Sequence, residues 1–393
     1  MSTNTDRIRL GFIGVANQGV LNLKAFWELD DDCVVRAVCD VDSRHLDAAK
    51  ALVDEHNGDS SCRAFHDFRD LNRWDGIDAV VITTPDHWHT AMAIDAARAG
   101  KDIYLEKPLT LFVYEGRRLC QVIKETGRIL QTGSQQRSAE EFRRACELVR
   151  NGCLGKIEWI EVQIPPNNKT CEPTWSPEPP PPELDYDFWL GPAPAAEYHP
   201  QRCHYQFRFI RDYSGGQVTN FGAHHLDIVQ WALGMDESGP VEVWGDGEFP
   251  TSGLFNTATR VDFGLRYANG VEVRCVTGAS KVVFHGAKGT LDVKRGKLAT
   301  DPESLADAEL PPNAVRLYRS DNHQADFLNS IRTRKDPICS VETGHRSATC
   351  CHLANIAMLL KRRLQWDPVA ECFPTDAEAN AMLTRPYRKP WTL

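Results

Sequence analysis

The sequence predicts an α/β chain in two parts: a doubly wound parallel sheet with helices on both faces, followed by an α+β domain. Three observations carry this. Strand-like and helix-like stretches alternate through residues 7–150. Within them, residues 79–83 (Ala-Val-Val-Ile-Thr) form a continuous run of the kind that suits a strand buried on both faces. After Gly155 the apolar period falls to two: Ile160, Val162 and Ile164 alternate with Glu161 and Gln163.

Residues 7–13 make the first strand, and a helix follows Gly19. Residues 34–39 are the second strand and 43–53 the next helix. Residues 89–99 are Ala-rich and helical, with Gly100 placed to stop them. Residues 103–105 are a strand. Leu119, Val122 and Ile123 mark one helix face, closed by Gly127, before a strand at 129–132. This rhythm gives a parallel sheet. Later, Val261, Phe263, Leu265 and Tyr267 alternate with Asp262 and Arg266. Asn269-Gly270 then turns the chain into Val271 and Val273. Leu291 and Val293 lead to a turn at Arg295-Gly296, so this sheet is antiparallel. Six prolines within 173–182 leave few backbone donors, which makes 177–182 a rim loop. Leu353, Ile356, Ala357 and Leu360 mark a long amphipathic helix. Glu140, Glu141, Arg143 and Arg144 read as a solvated helix face.

The 393 residues suit two or three domains. Apolar residues at 42% and charged residues at 25% match globular proteins and exclude disorder, collagen and coiled coil. No apolar run reaches the roughly 18 residues of a membrane span. Residues 1–9 hold no apolar signal core, so the expected compartment is the cytoplasm. A net charge of −9 argues against nucleic acid or an anionic membrane as the main partner. Thirteen cysteines without a CxxC spacing read as reduced, mostly buried thiols.

The first strand runs into a glycine loop whose G-x-G-x-x-G register is Gly14, Ala16 and Gly19, enclosing Asn17 and Gln18. The middle glycine, which lets a backbone approach a pyrophosphate, is replaced by alanine. Helix N-terminal amides still favour an anion there. Asp40 ends the second strand, 21 residues after Gly19, where an acid hydrogen-bonds the adenosine ribose. A carboxylate there repels a 2′-phosphate, so the expected cofactor is NAD. Asp42 is read as the cap of the helix beginning near Ser43.

Two further segments follow strand ends: Thr84-Pro85-Asp86-His87-Trp88-His89 and Glu106-Lys107-Pro108. Open α/β sheets bind ligands at such ends. Burial or a neighbouring cation there lowers a lysine's pKa and fits Lys107 for proton transfer.

With these motifs the chain resembles the Gfo/Idh/MocA family, named for glucose-fructose oxidoreductase and inositol dehydrogenase. The resemblance covers essentially the whole chain. It also rests on Gly133-Ser134-Gln135-Gln136, Asp187-Phe-Trp189-Leu-Gly191-Pro and Gly215-Gly216-x3-Asn220-x-Gly222-x-His224-x2-Asp227. The tail, Arg385-Pro-Tyr-Arg-Lys-Pro-Trp391, resembles a branch common in environmental bacteria.

The resemblance implies a Rossmann domain at 1–136. It also implies a substrate-binding and oligomerisation domain at 137–393, with a large, open, mainly antiparallel sheet and a tail packing back on the first domain. It implies an NAD(P)-dependent dehydrogenase acting on a secondary alcohol or ketone of a sugar, sugar acid or cyclitol, and a homo-oligomer, dimer or tetramer. Lys107 maps to the family's lysine, and Asn220 with His224 to its Asp-x3-His pair. Asparagine cannot carry the proton, so Lys107 and His224 are the expected acid–base groups and Asn220 an orienter. Gly14, Ala16, Asn17, Gln18, Gly19, Asp40, Thr84, Pro85, His87, His89, Glu106, Lys107 and Gln135 are the expected cofactor residues. His87 and Trp88 are placed at the nicotinamide edge, and Trp189 in the core. His204, Tyr205, Arg208 and Asp227 are the expected substrate residues. His224 and His225 point to different helix faces. No cysteine or HExxH spacing supports a metal site from His224, Asp227, His87 and His89, and none is expected. Two alternatives are a redox-neutral glycosidase, lyase or epimerase working through a transient keto-sugar with tightly bound NAD, and a non-catalytic NAD-binding sensor. Intact Lys107 and His224 argue against the sensor.

Overall fold

The computed structural model describes residues 7–166 and 172–393. The chain first alternates β1 (Ile8–Ile13), α1 (Gln18–Trp27), β2 (Cys33–Cys39), α2 (Ser43–Asn57), β3 (Arg63–Phe65) and α3 (Phe68–Arg73). It continues through β4 (Ala79–Ile82), α4 (Asp86–Arg98), β5 (Asp102–Leu105), α5 (Val113–Thr126) and β6 (Leu130–Thr132). The six strands pair in parallel in the order β3-β2-β1-β4-β5-β6. Every residue of β4 and β5 is buried, which explains their lack of polar alternation. Strand order reverses between β1 and β4, and the crevice beyond their carboxyl ends is where such sheets bind ligands.

Then come α6 (Glu140–Arg150), β7 (Ile157–Ile164), α7 (Tyr186–Leu190), α8 (Gln217–Asn220) and α9 (Gly222–Leu233). Next are β8 (Glu242–Glu248), β9 (Arg260–Arg266), β10 (Glu272–Thr277), β11 (Lys281–Gly286), β12 (Gly289–Lys294) and β13 (Lys297–Asp301). The chain closes with α10 (His323–Thr333), α11 (Val341–Leu360), β14 (Leu364–Gln365) and α12 (Ala377–Ala381). The second sheet has eight strands in the order β13-β12-β11-β7-β10-β9-β8-β14. Only β7 and β10 pair in parallel; the other neighbours are antiparallel. Ile160, Val162 and Ile164 join Leu265, Val273 and Cys275 in one core with α6, α9 and α11, while Glu161 and Gln163 stay partly exposed. The period of two is thus one buried face.

The two sheets are joined closely. Ser43 N–H donates to the Glu183 carbonyl (2.9 Å) and Asp185 N–H to that of Val41 (3.0 Å). The last third of the chain covers the edge strand β6: Thr132 N–H donates to the Cys339 carbonyl (2.9 Å), and His323 Nε2 to the Thr132 carbonyl (2.9 Å). Phe327 of α10 packs on Phe26 and Tyr104. At the tail, Trp391 stacks on Phe188 and meets Trp88 edge-on. Residues 177–182 are irregular and almost wholly exposed. The described cysteines are free thiols, all but Cys153 and Cys372 buried. Among the described residues no helix is long and apolar enough to cross a membrane.

Candidate functional site

The loop after β1 is shaped by close approach. Gly14 has φ +81°, and a Cβ there would stand 2.9 Å from the Thr83–Thr84 backbone. A Cβ on Gly19 would stand 2.2 Å from the Gly14 carbonyl oxygen. Both positions therefore demand glycine. Ala16 is not among the residues with positive φ; its neighbour Asn17 (φ 38°) is. The opening amides of α1 receive no side-chain cap, which leaves them for an anion.

A cavity of about 110 Å³ lies over this loop. Gly14, Ala16, Asn17, Gln18, Asp40, Thr84 and Pro85 line it from the first sheet. Phe188, Trp189, His204, Phe207 and Arg208 line it from the later chain. Asp40 is held by the N–H groups of Val15 (3.0 Å) and Asp42 (2.9 Å). Burial pushes its pKa up and those two hydrogen bonds oppose it. Asp42 caps α2 by accepting from Arg44 N–H (3.0 Å). The donor-rich loop, the uncapped helix and the acid beyond β2 fit a dinucleotide's pyrophosphate and ribose.

The larger cavity, about 600 Å³, adjoins it and shares Gln18, Thr84, Phe207 and Arg208. Lys107, His224 and Asn220 line it together. Lys107 Nζ donates to Asn220 Oδ1 (3.1 Å) and to the Asn220 carbonyl (2.9 Å). Asn220 Nδ2 donates to Gln217 Oε1 (3.0 Å), which fixes the amide's direction. Burial lowers the Lys107 pKa; Arg208 and Arg295 lower it further, and Glu106 and Asp86 oppose them. Burial and the Lys107 charge hold His224 well below the usual histidine range. His224 Nδ1 has no hydrogen-bond partner among the described residues. Glu106 is a fixed acceptor for Asn22 Nδ2 (3.2 Å), Gln135 Nε2 (3.0 Å) and Lys107 N–H (3.2 Å). The Lys107–Pro108 peptide is cis.

The helix start corrects part of the sequence reading. Helix α4 begins at Asp86, not His89, so Asp86 and His89 share a face at i,i+3 and both line the larger cavity. His89 spans the Pro108 carbonyl (Nδ1, 2.8 Å) and the Thr84 carbonyl (Nε2, 3.0 Å). His87 lies on another face and lines neither cavity. Its ring packs on Trp189 and Tyr213, Nε2 meets the Trp189 carbonyl (3.0 Å), and burial lowers its pKa to about 3. Trp88 and Trp189 are buried and border the smaller cavity.

Asp227, expected to touch substrate, lines neither cavity. It is fully buried and bound to Arg137 through both oxygens (2.8 Å each) and to Ser347 Oγ (2.7 Å). Tyr205 and Arg208 line the larger cavity, but His204 lines the smaller one, 3.7 Å from Asp42 and against the His45 ring. Asp86 and Arg295 are cavity residues that the sequence reading missed. Starting α4 at Asp86 would have revealed the first. Arg295 sits in the turn after β12, and only the tertiary fold brings that turn here. Asp86 accepts from Ser214 Oγ (2.6 Å), and burial raises its pKa.

Residues 8–134 match the family description "Oxidoreductase family, NAD-binding Rossmann fold". Residues 168–393 match "Oxidoreductase family, C-terminal alpha/beta domain" of Gfo/Idh/MocA proteins. The chain belongs to the Gfo/Idh/MocA oxidoreductase family. Its first part is an NAD-binding domain, and NAD is its cofactor. A myo-inositol 2-dehydrogenase of Thermotoga maritima is 23% identical over 381 residues, 92% of this chain and 99% of that protein. A Glycosyl hydrolase family 109 protein of Shewanella sp. is 30% identical over 155 residues, 39% of this chain and 34% of that protein. The solved WlbA dehydrogenase from Bordetella pertussis, in complex with NADH and UDP-GlcNAcA, shares the fold. Its TM-score is 0.70 at 17% identity, covering 92% of this chain and 99% of that one.

Proposed function

We propose that this Gfo/Idh/MocA protein is an NAD-dependent dehydrogenase interconverting a secondary alcohol and a ketone on a sugar, sugar acid or cyclitol. The observation that carries the reading is Lys107. Its amine is half-buried, depressed in pKa, aimed by Asn220, and set in a roomy cavity adjoining the dinucleotide loop. Bound NAD supplies the hydride acceptor, or donor in reverse, through its nicotinamide. Gly14, Gly19 and the first amides of α1 hold the pyrophosphate, and Asp40 the adenosine ribose. The neutral amine of Lys107 takes the hydroxyl proton as the carbonyl forms, and returns it in the opposite direction. Asn220 keeps Nζ pointed through a neutral contact, and His224 donates to or accepts from a neighbouring hydroxyl. The relative named myo-inositol 2-dehydrogenase supports a polyol substrate.

The test is a panel of sugars, sugar acids and cyclitols scored for NADH formation, repeated with Lys107→Ala. Turnover is expected to fall by about 10²–10⁴, the range for a lost acid–base group, while NAD affinity changes far less. A Lys107→Ala protein with wild-type turnover refutes the assignment.

One observation favours a second reading. Phe188, Trp189, His204 and Phe207 close the smaller cavity from the later chain, and the Val41–Asp185 contacts tie that segment down. A cofactor flanked on this side by the later chain suits a redox-neutral reaction that retains it; the partial match to the Glycosyl hydrolase family 109 protein agrees with it. Turnover of a glycoside by purified protein without added NAD decides for this reading.

A further inference from the structure

The larger cavity is lined by two guanidinium groups that the proposed proton transfer does not use. Arg208 and Arg295 line it beside Lys107. Neither guanidinium forms an ion pair with a carboxylate among the described residues. Several arginines elsewhere are matched by acids, Arg117 with Glu342 and Glu371, Arg137 with Asp227 and Asp236, Arg334 with Asp102. Others, such as Arg144 and Arg150, have no acid partner among the described residues but are spent on backbone carbonyls away from the cavity. Neither acid of the cavity forms an ion pair with them. Glu106 is occupied by Asn22, Gln135 and the Lys107 amide. Asp86 accepts from Ser214 Oγ; burial raises its pKa, and His89, Arg208 and Lys107 oppose that in part.

Both arginines have definite contacts, Arg208 partly buried and Arg295 exposed at the cavity edge. Arg208 lies 4.6 Å from the ring centroids of Tyr205 and Phe207 and donates to the Tyr205 carbonyl (3.1 Å). Arg295 Nε donates to the Gln136 side-chain oxygen (3.3 Å), in the amide orientation whose nitrogen donates to the His224 carbonyl (3.1 Å). The same buried glutamine thus ties Arg295 to the His224 backbone. Arg208 borders both cavities, whereas Arg295 borders only the larger one, away from the glycine loop and Asp40.

Resting on the dehydrogenase reading above, we infer that the alcohol substrate bears an anionic group, a carboxylate or a phosphate, held by Arg295 together with Arg208. A guanidinium presents paired donors that match either oxyanion, and a planar side chain fixed by ring stacking loses little freedom on binding it.

The experiment is calorimetric titration of the NADH-loaded protein with D-glucuronate, glucose 6-phosphate, D-glucose and myo-inositol, for wild type and Arg295→Met. At least one anionic sugar is expected to bind about tenfold or more tightly than glucose, the scale of a charge-assisted contact. Which anion wins separates carboxylate from phosphate. Arg295→Met should abolish the preference and leave NADH affinity unchanged. The inference is overturned if glucose or myo-inositol binds as tightly as both anions, if neither anion binds, or if Arg295→Met keeps the preference. Following NADH formation separates the two claims. Preferred anions that are bound but never oxidised refute the dehydrogenase reading alone. Neutral polyols oxidised without any preference refute the anion inference alone.

Discussion

Asn220→Asp places a single negative charge 3.1 Å from Lys107 Nζ with almost no change of shape. At that distance and an effective dielectric of about 20, Coulomb's law gives about 5 kcal/mol of gross attraction. Desolvating the new carboxylate offsets much of this, and opposite charges in contact move a titration by about 1–3 pH units. The sign follows from the chemistry. A carboxylate stabilises the ammonium, so Lys107 gives up its proton at higher pH, whereas alcohol oxidation needs the neutral amine. The acidic limb of kcat/KM therefore moves toward alkaline pH by about 1–3 units, and on that limb the rate falls about tenfold for each unit. The assay is initial-rate NADH formation with saturating NAD across about pH 5–10, the range that brackets both limbs. Aspartate also removes the Nδ2 donor to Gln217. That loss lowers the rate at every pH but does not move the limb. An acidic limb at the same pH in both proteins, with NAD affinity intact, refutes Lys107 as the titrating base.

Three further outcomes are expected. Asp40→Ala weakens NAD and narrows its advantage over NADP, because the ribose acceptor and its repulsion of a 2′-phosphate go together; calorimetry with both cofactors checks it, and wild type binding NADP at least as tightly as NAD contradicts it. Gly19→Ala forces a Cβ to 2.2 Å from the Gly14 carbonyl oxygen, so α1 must shift from β1; NAD affinity and melting temperature both fall, and an unchanged pair of values counts against the packing role. Arg137→Met leaves Asp227 buried and without its bidentate partner, at a cost of about 3–5 kcal/mol; denaturant titration reads it, and a loss below about 1 kcal/mol, the level of an exposed ion pair, rejects the buried-pair account.

The first sheet was legible because parallel strands buried on both faces leave unbroken apolar runs, as in β4, and β7 was legible because one buried face leaves a strict alternation. Strand β3 was not: of its three residues only Phe65 is buried, so it has no period to read. Strand β13 has no fully buried residue and was equally silent. Within the site, Lys107 and His224 could be read because each sits in a dense local motif. His87 was placed at the nicotinamide edge because residues 86–88 were read as loop; as the first turn of α4 they put Asp86 and His89 on the cavity face and His87 on another. The burial of Asp227 was not legible because its partner, Arg137, is 90 residues away in sequence and joins it only in the folded core. Arg295 shows the same limit from the other side: a turn residue, ordinary in sequence, joins the cavity only where the fold brings it to Gln136, about 160 residues earlier.

The bonding of β6 also bears on the order in which the protein is made. The strand's outer edge is satisfied by Cys339 and His323, some two hundred residues downstream. When a ribosome has delivered the glycine loop, Asp40 and Lys107, the sheet that carries them still ends in an open edge. Phe26 and Tyr104 also lack Phe327 against their rings. Unpaired strand edges invite pairing with other chains. A nascent cofactor domain is therefore unfinished until α10 and the segment leading into α11 emerge, and it must be shielded or slow to collapse for most of synthesis. Cutting the gene after the first sheet removes these contacts and leaves the β6 edge and the Phe26 and Tyr104 rings uncovered.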